Sequence, residues 1–167
     1  MKGLRVVADS SCLIGLAQIK QFDLLKELFL EVYISEAVFD EVVVNGKGEV
    51  GSDETKTAIN DGWVIKKSVM DEVVVRALSS TLGKGESEVI ALYKELEADY
   101  ALIDETIARD IADLMDVNTM GIIGIIDLAI EIGFNIDKKE LIDKLRDMGF
   151  RISDELYKKM FPDSGTV

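Results

Sequence analysis

The sequence predicts an α/β protein: a three-layer α/β/α sandwich with a central, mostly parallel sheet. Three observations carry this reading. Short apolar runs of strand length alternate with longer segments of helical period, and successive parallel strands need helical crossovers between them. The chain has 167 residues, 48% of them hydrophobic, enough to bury a sizeable core in one domain. Two apolar runs, residues 4–8 and 100–103, lead directly into Asp9 and Asp104. That is the placement expected at the carboxyl ends of parallel strands, where the functional edge of such sheets lies.

The elements follow in order. Leu4, Val6, Val7 and Ala8 make a first strand, and Ser11 to Leu16 begin a short helix. Phe22, Leu24, Leu25, Leu28 and Phe29 form the apolar face of a second helix, and Val32, Tyr33 and Ile34 form the next strand. Ser35 then suits a helix cap, followed by acids in the first turn. This helix carries Glu41 beside Ala37, Val38, Val42 and Val44, a spacing that puts the carboxylate on or next to the buried face. Residues 45–52 contain three glycines and little to bury, which predicts a mobile surface loop that can act as a lid. A helix over 53–61 leads through Gly62 to a strand or edge element at 63–66, with Trp63 in the core.

Glycines at 83 and 85 punctuate the chain before an amphipathic helix over 87–96. The strand at 100–103, a helix over 105–115, a turn or short strand at 116–119 and a nearly continuous apolar helix over 122–132 complete the main body. Residues 138–160 read as a helical extension with a glycine-containing turn, so one domain spans 1–160 and 161–167 form a disordered tail.

Composition excludes several chemistries. There is no histidine, which removes Ser-His-Asp and Cys-His catalysis and His-ligated zinc. The single cysteine, Cys12, cannot form an internal disulfide and reads as a buried small hydrophobe. A formal charge of −13 opposes general affinity for nucleic acid while leaving room for a local basic rim. No apolar run reaches membrane-spanning length and the start lacks signal-peptide features, so a cytoplasmic protein without membrane association is expected.

The remaining chemistry is that of carboxylates. Each acid has an ordinary explanation: Asp9 and Asp104 precede helices they can cap, and Glu86 and Glu88 lie in the first turn of a helix, where the dipole favours negative charge. Asp127, within an apolar helix, fits a position at its polar margin. Glu41 is harder to dismiss, because a carboxylate beside a buried face needs a partner. Acids gathered at one spot resist joint ionisation, and a divalent cation resolves the conflict; Mg2+ or Mn2+ suits an all-oxygen set.

The order and spacing of these acids resembles the PIN-domain family of metal-dependent ribonucleases. The matching segments are Val6-Val7-Ala8-Asp9-Ser10-Ser11-Cys12, then Ser35-Glu36-Ala37-Val38-Phe39-Asp40-Glu41, then Gly83-Lys84-Gly85-Glu86-Ser87-Glu88, then Leu102-Ile103-Asp104-Glu105-Thr106. Ile103 stands where the family often has Thr, and either Asp104 or Glu105 is the fourth acid. The resemblance implies that Asp9, Glu41, Glu86 and Asp104 bind one or two Mg2+ or Mn2+ ions, with Glu88 and Glu105 as alternates or outer ligands. It further implies that Ser10, Ser11 and Asn118 orient waters or ligands, and that Lys84 and Arg109 contact an RNA backbone. The activity implied is hydrolysis of single-stranded RNA, in the manner of small prokaryotic stand-alone PIN proteins, some of them toxins held by an antitoxin protein. The alternative is a PIN-like protein-binding module without catalysis. A homodimer is also expected, because apolar residues 122–126 and 145–152 offer more hydrophobic surface than one small sheet needs.

Overall fold

The computed structural model describes residues 3–164. Five parallel strands, β1 (Arg5–Ala8), β2 (Glu31–Ser35), β3 (Val64–Lys67), β4 (Tyr100–Leu102) and β5 (Thr119–Met120), form one sheet in the order β3-β2-β1-β4-β5. Central β1 is apolar on both faces, and Val6, Val7 and Ala8 are fully buried, as expected of a parallel strand covered on both sides.

The helices supply those covers. After β1 come α1 (Ser10–Gln18) and α2 (Leu24–Leu28); after β2 come α3 (Glu36–Phe39), a π-helical turn (Asp40–Val44) and α4 (Ser52–Asp61). Then α5 (Glu72–Leu78) and α6 (Lys84–Leu96) carry the chain from β3 to β4, α7 (Thr106–Leu114) links β4 to β5, and α8 (Ile122–Glu131), α9 (Lys138–Asp147) and α10 (Asp154–Met160) follow. The chain moves outward on one side of β1 through β2 and β3, then crosses back to β4 and β5. Right-handed crossovers therefore put α1 and α2 on one face and α6 and α7 on the other. Accordingly α6 packs across β1, β2 and β4, and α8 returns to pack on α1 and α2. The core includes Leu13, Leu16, Ile34, Ile90, Leu92, Ile103, Ile122, Ile125 and Ile126, all fully buried.

The structure alters several expectations. Residues 68–81, unassigned from sequence, contain α5; Asp71 caps it by accepting from the Val74 N–H at 3.2 Å, and only Val75 is buried, so it had almost no apolar periodicity to read. Helix α6 starts at Lys84, three residues before the expected start, with Gly83 as its extended N-cap. The segment expected to be a mobile lid is a series of hydrogen-bonded turns: Glu49 N–H donates to Gly46 O at 2.8 Å, Ser52 N–H to Glu49 O at 3.3 Å and Ser52 Oγ to Val43 O at 3.3 Å. Gly51, buried at φ 99°, lies against Ile14 of α1, at a backbone angle that a side chain would oppose.

The apolar residues that suggested self-association are in part spent within the chain. Ile122, Ile125, Ile126 and Leu145 are fully buried, with α9 folded back onto α8, whereas Ile123, Phe150 and Ile152 are only partly buried. Met148 remains half exposed. Asp127 lies at the polar margin and pairs with Lys138 at 2.7 Å. Trp63 meets Phe22 edge to face, with ring centroids 5.7 Å apart. Of the tail expected to be disordered, Pro162–Ser164 form a 3-10 turn and residues 165–167 lie outside the described residues. Among the described residues, no helix is long and apolar enough to cross a membrane.

Candidate active site

The strand order reverses its direction of growth between β1 and β4, and the helices that follow these two strands leave on opposite faces. The carboxyl ends there open a crevice, the usual ligand position in such sheets. Asp9 and Asp104 flank it. Ala8 pairs with Leu102, and Asp9 N–H donates to Leu102 O at 3.0 Å, so the sheet itself sets the spacing of the two aspartates.

Asp9 is 3% exposed. Its Oδ1 accepts from Ser10 N–H at 2.7 Å and lies 3.3 Å from Ser10 Oγ, and its Oδ2 accepts from Ser11 Oγ at 3.3 Å. Burial pushes its pKa from 3.8 up to about 7; the Ser10 N–H opposes that rise, Glu86 and Glu41 reinforce it, and the Ser11 hydroxyl opposes it weakly. Asp104 is half-buried. Its Oδ1 accepts from Ile122 N–H at 3.0 Å and its Oδ2 from the Cys12 thiol at 2.9 Å. Burial raises its pKa, against the opposing effects of Cys12, Ile122 and Arg109. Cys12 is therefore buried as expected but is not merely apolar filling. Burial first, then Asp104, pushes its thiol well above the ordinary range, so it remains a donor.

Glu41 comes from the π-helical turn, in which Asn45 N–H reaches back to Asp40 O at 2.7 Å. Such turns recur at functional sites. The extra residue in the turn takes Glu41 off the stripe buried by Val38 and Val42, so it is exposed to the crevice rather than set on the buried face. Its partner is Ser10, whose hydroxyl donates to Glu41 Oε2 at 2.7 Å. Glu86, half-buried in the first turn of α6, has its pKa raised by burial, then by Glu105 and Glu41, against the Gly83 N–H.

The other expected site residues are distributed as follows. Glu105 is exposed and caps α7, accepting from Ala108 N–H at 2.8 Å, and it stands near enough to Glu86 to add like charge, so both Asp104 and Glu105 remain in the candidate set. Glu88 is not brought to the crevice; it is buried and accepts from Ala37 N–H at 3.0 Å, capping α3. Lys84 lines a neighbouring groove with Glu36, Ser68, Arg76 and Glu88. Arg109 is beside Asp104 and Gly121. Asn118 is also elsewhere: it precedes β5, at the opposite end of the sheet, with its N–H on the Tyr93 hydroxyl at 3.3 Å.

Two glycines complete the site, and the sequence reading passed over both. A Cβ at Gly85 would collide with the Glu41 carboxylate, and one at Gly121 would come within 2.6 Å of Asp104 Oδ1. Gly85 was read as punctuation, yet it lies inside α6, where a glycine costs about 1 kcal/mol against alanine and so signals a close approach. Gly85→Ala is expected to push the flexible Glu41 side chain aside, leaving unfolding within about 1 kcal/mol of wild type while weakening Mn2+ binding about tenfold or more. Denaturation and Mn2+ titration of the same preparation check this; unaltered Mn2+ affinity would show that the Glu41 position is immaterial.

Among the described residues, no three acids stand close enough to form a ready-made metal cage. The arrangement is instead a converging set around one buried carboxylate. A parallel α/β sandwich with acids from four chain segments at its switch point defines the class, and the chain belongs to the PIN-domain family: the family DUF3368, described as a PIN domain, matches residues 5–165. The fold is similar to that of a solved PilT N-terminus domain protein, SSO1118, from the hyperthermophilic archaeon Sulfolobus solfataricus P2. The TM-score is 0.58 at 18% identity, over 80% of this chain and 98% of that one. Among curated proteins, none matches this sequence. PIN domains are commonly nucleases, and they typically use divalent metals.

Proposed function

We propose that the protein is a divalent-metal-dependent endoribonuclease that hydrolyses phosphodiester bonds of single-stranded RNA. The observation that carries this reading is Asp9: a buried carboxylate at the switch point, pushed up to about 7, with Glu41 and Glu86 contributing like charge. The donor set is all oxygen and fits Mg2+ or Mn2+, and the glycines at 85 and 121 leave space beside two of the acids. Asp9, Glu41, Glu86 and Asp104 would hold one or two such ions. When bound, the metal lowers the pKa of a coordinated water and offsets charge on phosphodiester oxygens.

The chain's own residues do the positioning. Asp9 and Asp104 stand at the ends of hydrogen-bonded neighbouring strands and supply fixed anchors, while Glu41 and Glu86 reach toward them on longer side chains from helical turns. Ser10 fixes Glu41, and Ser11 steadies the second oxygen of Asp9. Arg109, beside Asp104, would contact the RNA backbone at the crevice, and Lys84, in the neighbouring groove, would contact it farther along the strand. With a net charge of −13 and only two cations named for phosphate contact, affinity for RNA is weak and its dependence on salt shallow. The same reading includes a cytoplasmic homodimer acting as a toxin restrained by an antitoxin protein.

A second reading has one observation in its favour. The absence of a ready-made metal cage among the described residues suits a PIN-like module that binds protein without catalysis. Incubating the purified protein with structured and unstructured RNAs in Mn2+, Mg2+ or EDTA separates the two. Cleavage of the unstructured RNA with either ion and none in EDTA is the expected result, and cleavage that persists in EDTA would reject the metal-dependent mechanism.

A further inference from the structure

Asp104 is held more tightly than an acid at a strand end requires. One oxygen takes the Ile122 N–H at the start of α8, and the other takes the Cys12 thiol of α1, at 3.0 and 2.9 Å. The two donors come from chain segments 110 residues apart. Gly121 adds a third constraint, because a Cβ there would occupy the space of Oδ1. Each carboxylate oxygen has two lone pairs, so one donor per oxygen leaves each with a free lone pair for a cation. Cys12 is completely buried, three residues beyond Asp9 on the same helical turn, so its side chain ties Asp104 to the element that carries Asp9.

We infer that Cys12 is a positioning residue: its thiol, with the Ile122 N–H and the bare Cα of Gly121, fixes the Asp104 carboxylate for binding of a divalent cation. The assignment rests on the metal-dependent reading above. Without the thiol, Oδ2 loses its donor and the half-buried carboxylate, held only by the Ile122 N–H, is freer to turn. Hydrogen-bond partners of metal ligands typically contribute about 10- to 100-fold in metal affinity. A plain packing role would produce a different pattern, because packing follows side-chain volume whereas positioning follows the presence of a donor.

The test compares wild type with C12S, C12A and C12V by calorimetric titration with Mn2+, with D9N alongside. Circular dichroism and the metal-free unfolding midpoint report the fold of each variant. C12A and C12V are expected to bind Mn2+ about tenfold or more weakly while remaining folded, and C12S, which keeps a donor, to lie within about threefold of wild type. C12A or C12V binding Mn2+ as wild type does would overturn the assignment, as would a C12S protein as weak as C12A. Failure of both C12A and C12V to fold would assign the thiol to core packing and overturn it equally. Wild-type protein that binds no Mn2+, or binds it no better than D9N, would reject the metal site itself, and Cys12 with it; wild-type binding lost in D9N but retained in C12A would reject Cys12 alone.

Discussion

Asp9→Asn is expected to reduce RNA cleavage at least about 100-fold and, in the metal-free protein, to raise stability above pH 7. The first effect follows from removing an anionic anchor from the proposed ligand set. The second follows from linkage. The folded pKa of Asp9 lies at about 7 against an ordinary value of 3.8, so between those values the native state holds a proton that the unfolded chain has released. Stability contributed by this group is therefore fully present below about pH 4 and declines as pH rises, by about 1.4 kcal/mol per pH unit, until the folded carboxyl ionises near 7. The accumulated cost above pH 7 is about 4 kcal/mol. Asparagine keeps a capping oxygen for Ser10 N–H and cannot ionise. Denaturant unfolding at pH 5 and pH 8 in EDTA should show the variant gaining on wild type as pH rises. A variant equally destabilised at both values would mean that Asp9 is not a strained carboxylate.

Mn2+ should stabilise the wild-type protein, and more strongly at pH 8 than at pH 6, because below 7 a proton on Asp9 competes with the metal. An ion at 100 times its dissociation constant adds about 2.7 kcal/mol. For a domain of this length, each 1 kcal/mol moves the midpoint by about 2–4 °C, so a rise of about 5–10 °C is expected. Glu41→Gln should blunt the rise and Asp9→Asn should remove it. Melting curves insensitive to Mn2+ at both pH values would favour the binding-only module.

The sequence and structure agree where one local rule governed the outcome. The strand runs at 4–8 and 100–103 are short, apolar and followed by aspartate, and parallel topology takes both aspartates to one edge. Ser35 was legible as a cap and does accept from Val38 N–H at 3.2 Å. Glu88 was ambiguous because it shares a helical turn with Glu86, and only the approach of α3 from another part of the chain decides that Glu88 caps Ala37. Glu105 and Asp104 are adjacent, so periodicity could not separate them; the structure gives them different partners, the Ile122 N–H and Cys12 thiol for Asp104, and the Ala108 N–H and nearby Glu86 for Glu105. Asn118, which the resemblance implied as an orienting residue, is carried to the far end of the sheet by the parallel register of β5. The π-helical turn has no clear sequence mark, since its five residues read as ordinary amphipathic helix. In the segment 45–52 the glycines serve turns, and Gly51 lies against α1, neither of which is marked in the sequence beyond the glycines themselves.

Both strand-end aspartates also accept a backbone N–H at the start of a helix, Asp9 from Ser10 and Asp104 from Ile122. Under the proposed function each is under two separate demands, one from chemistry at the crevice and one from the backbone of the fold. A chain of this fold without that chemistry would still have a structural reason to keep them. For chains of this architecture, inheritance of the two aspartates is thus a poor witness to activity, and the better witnesses are residues with no backbone to cap, such as Glu41 and the glycine that makes room for it.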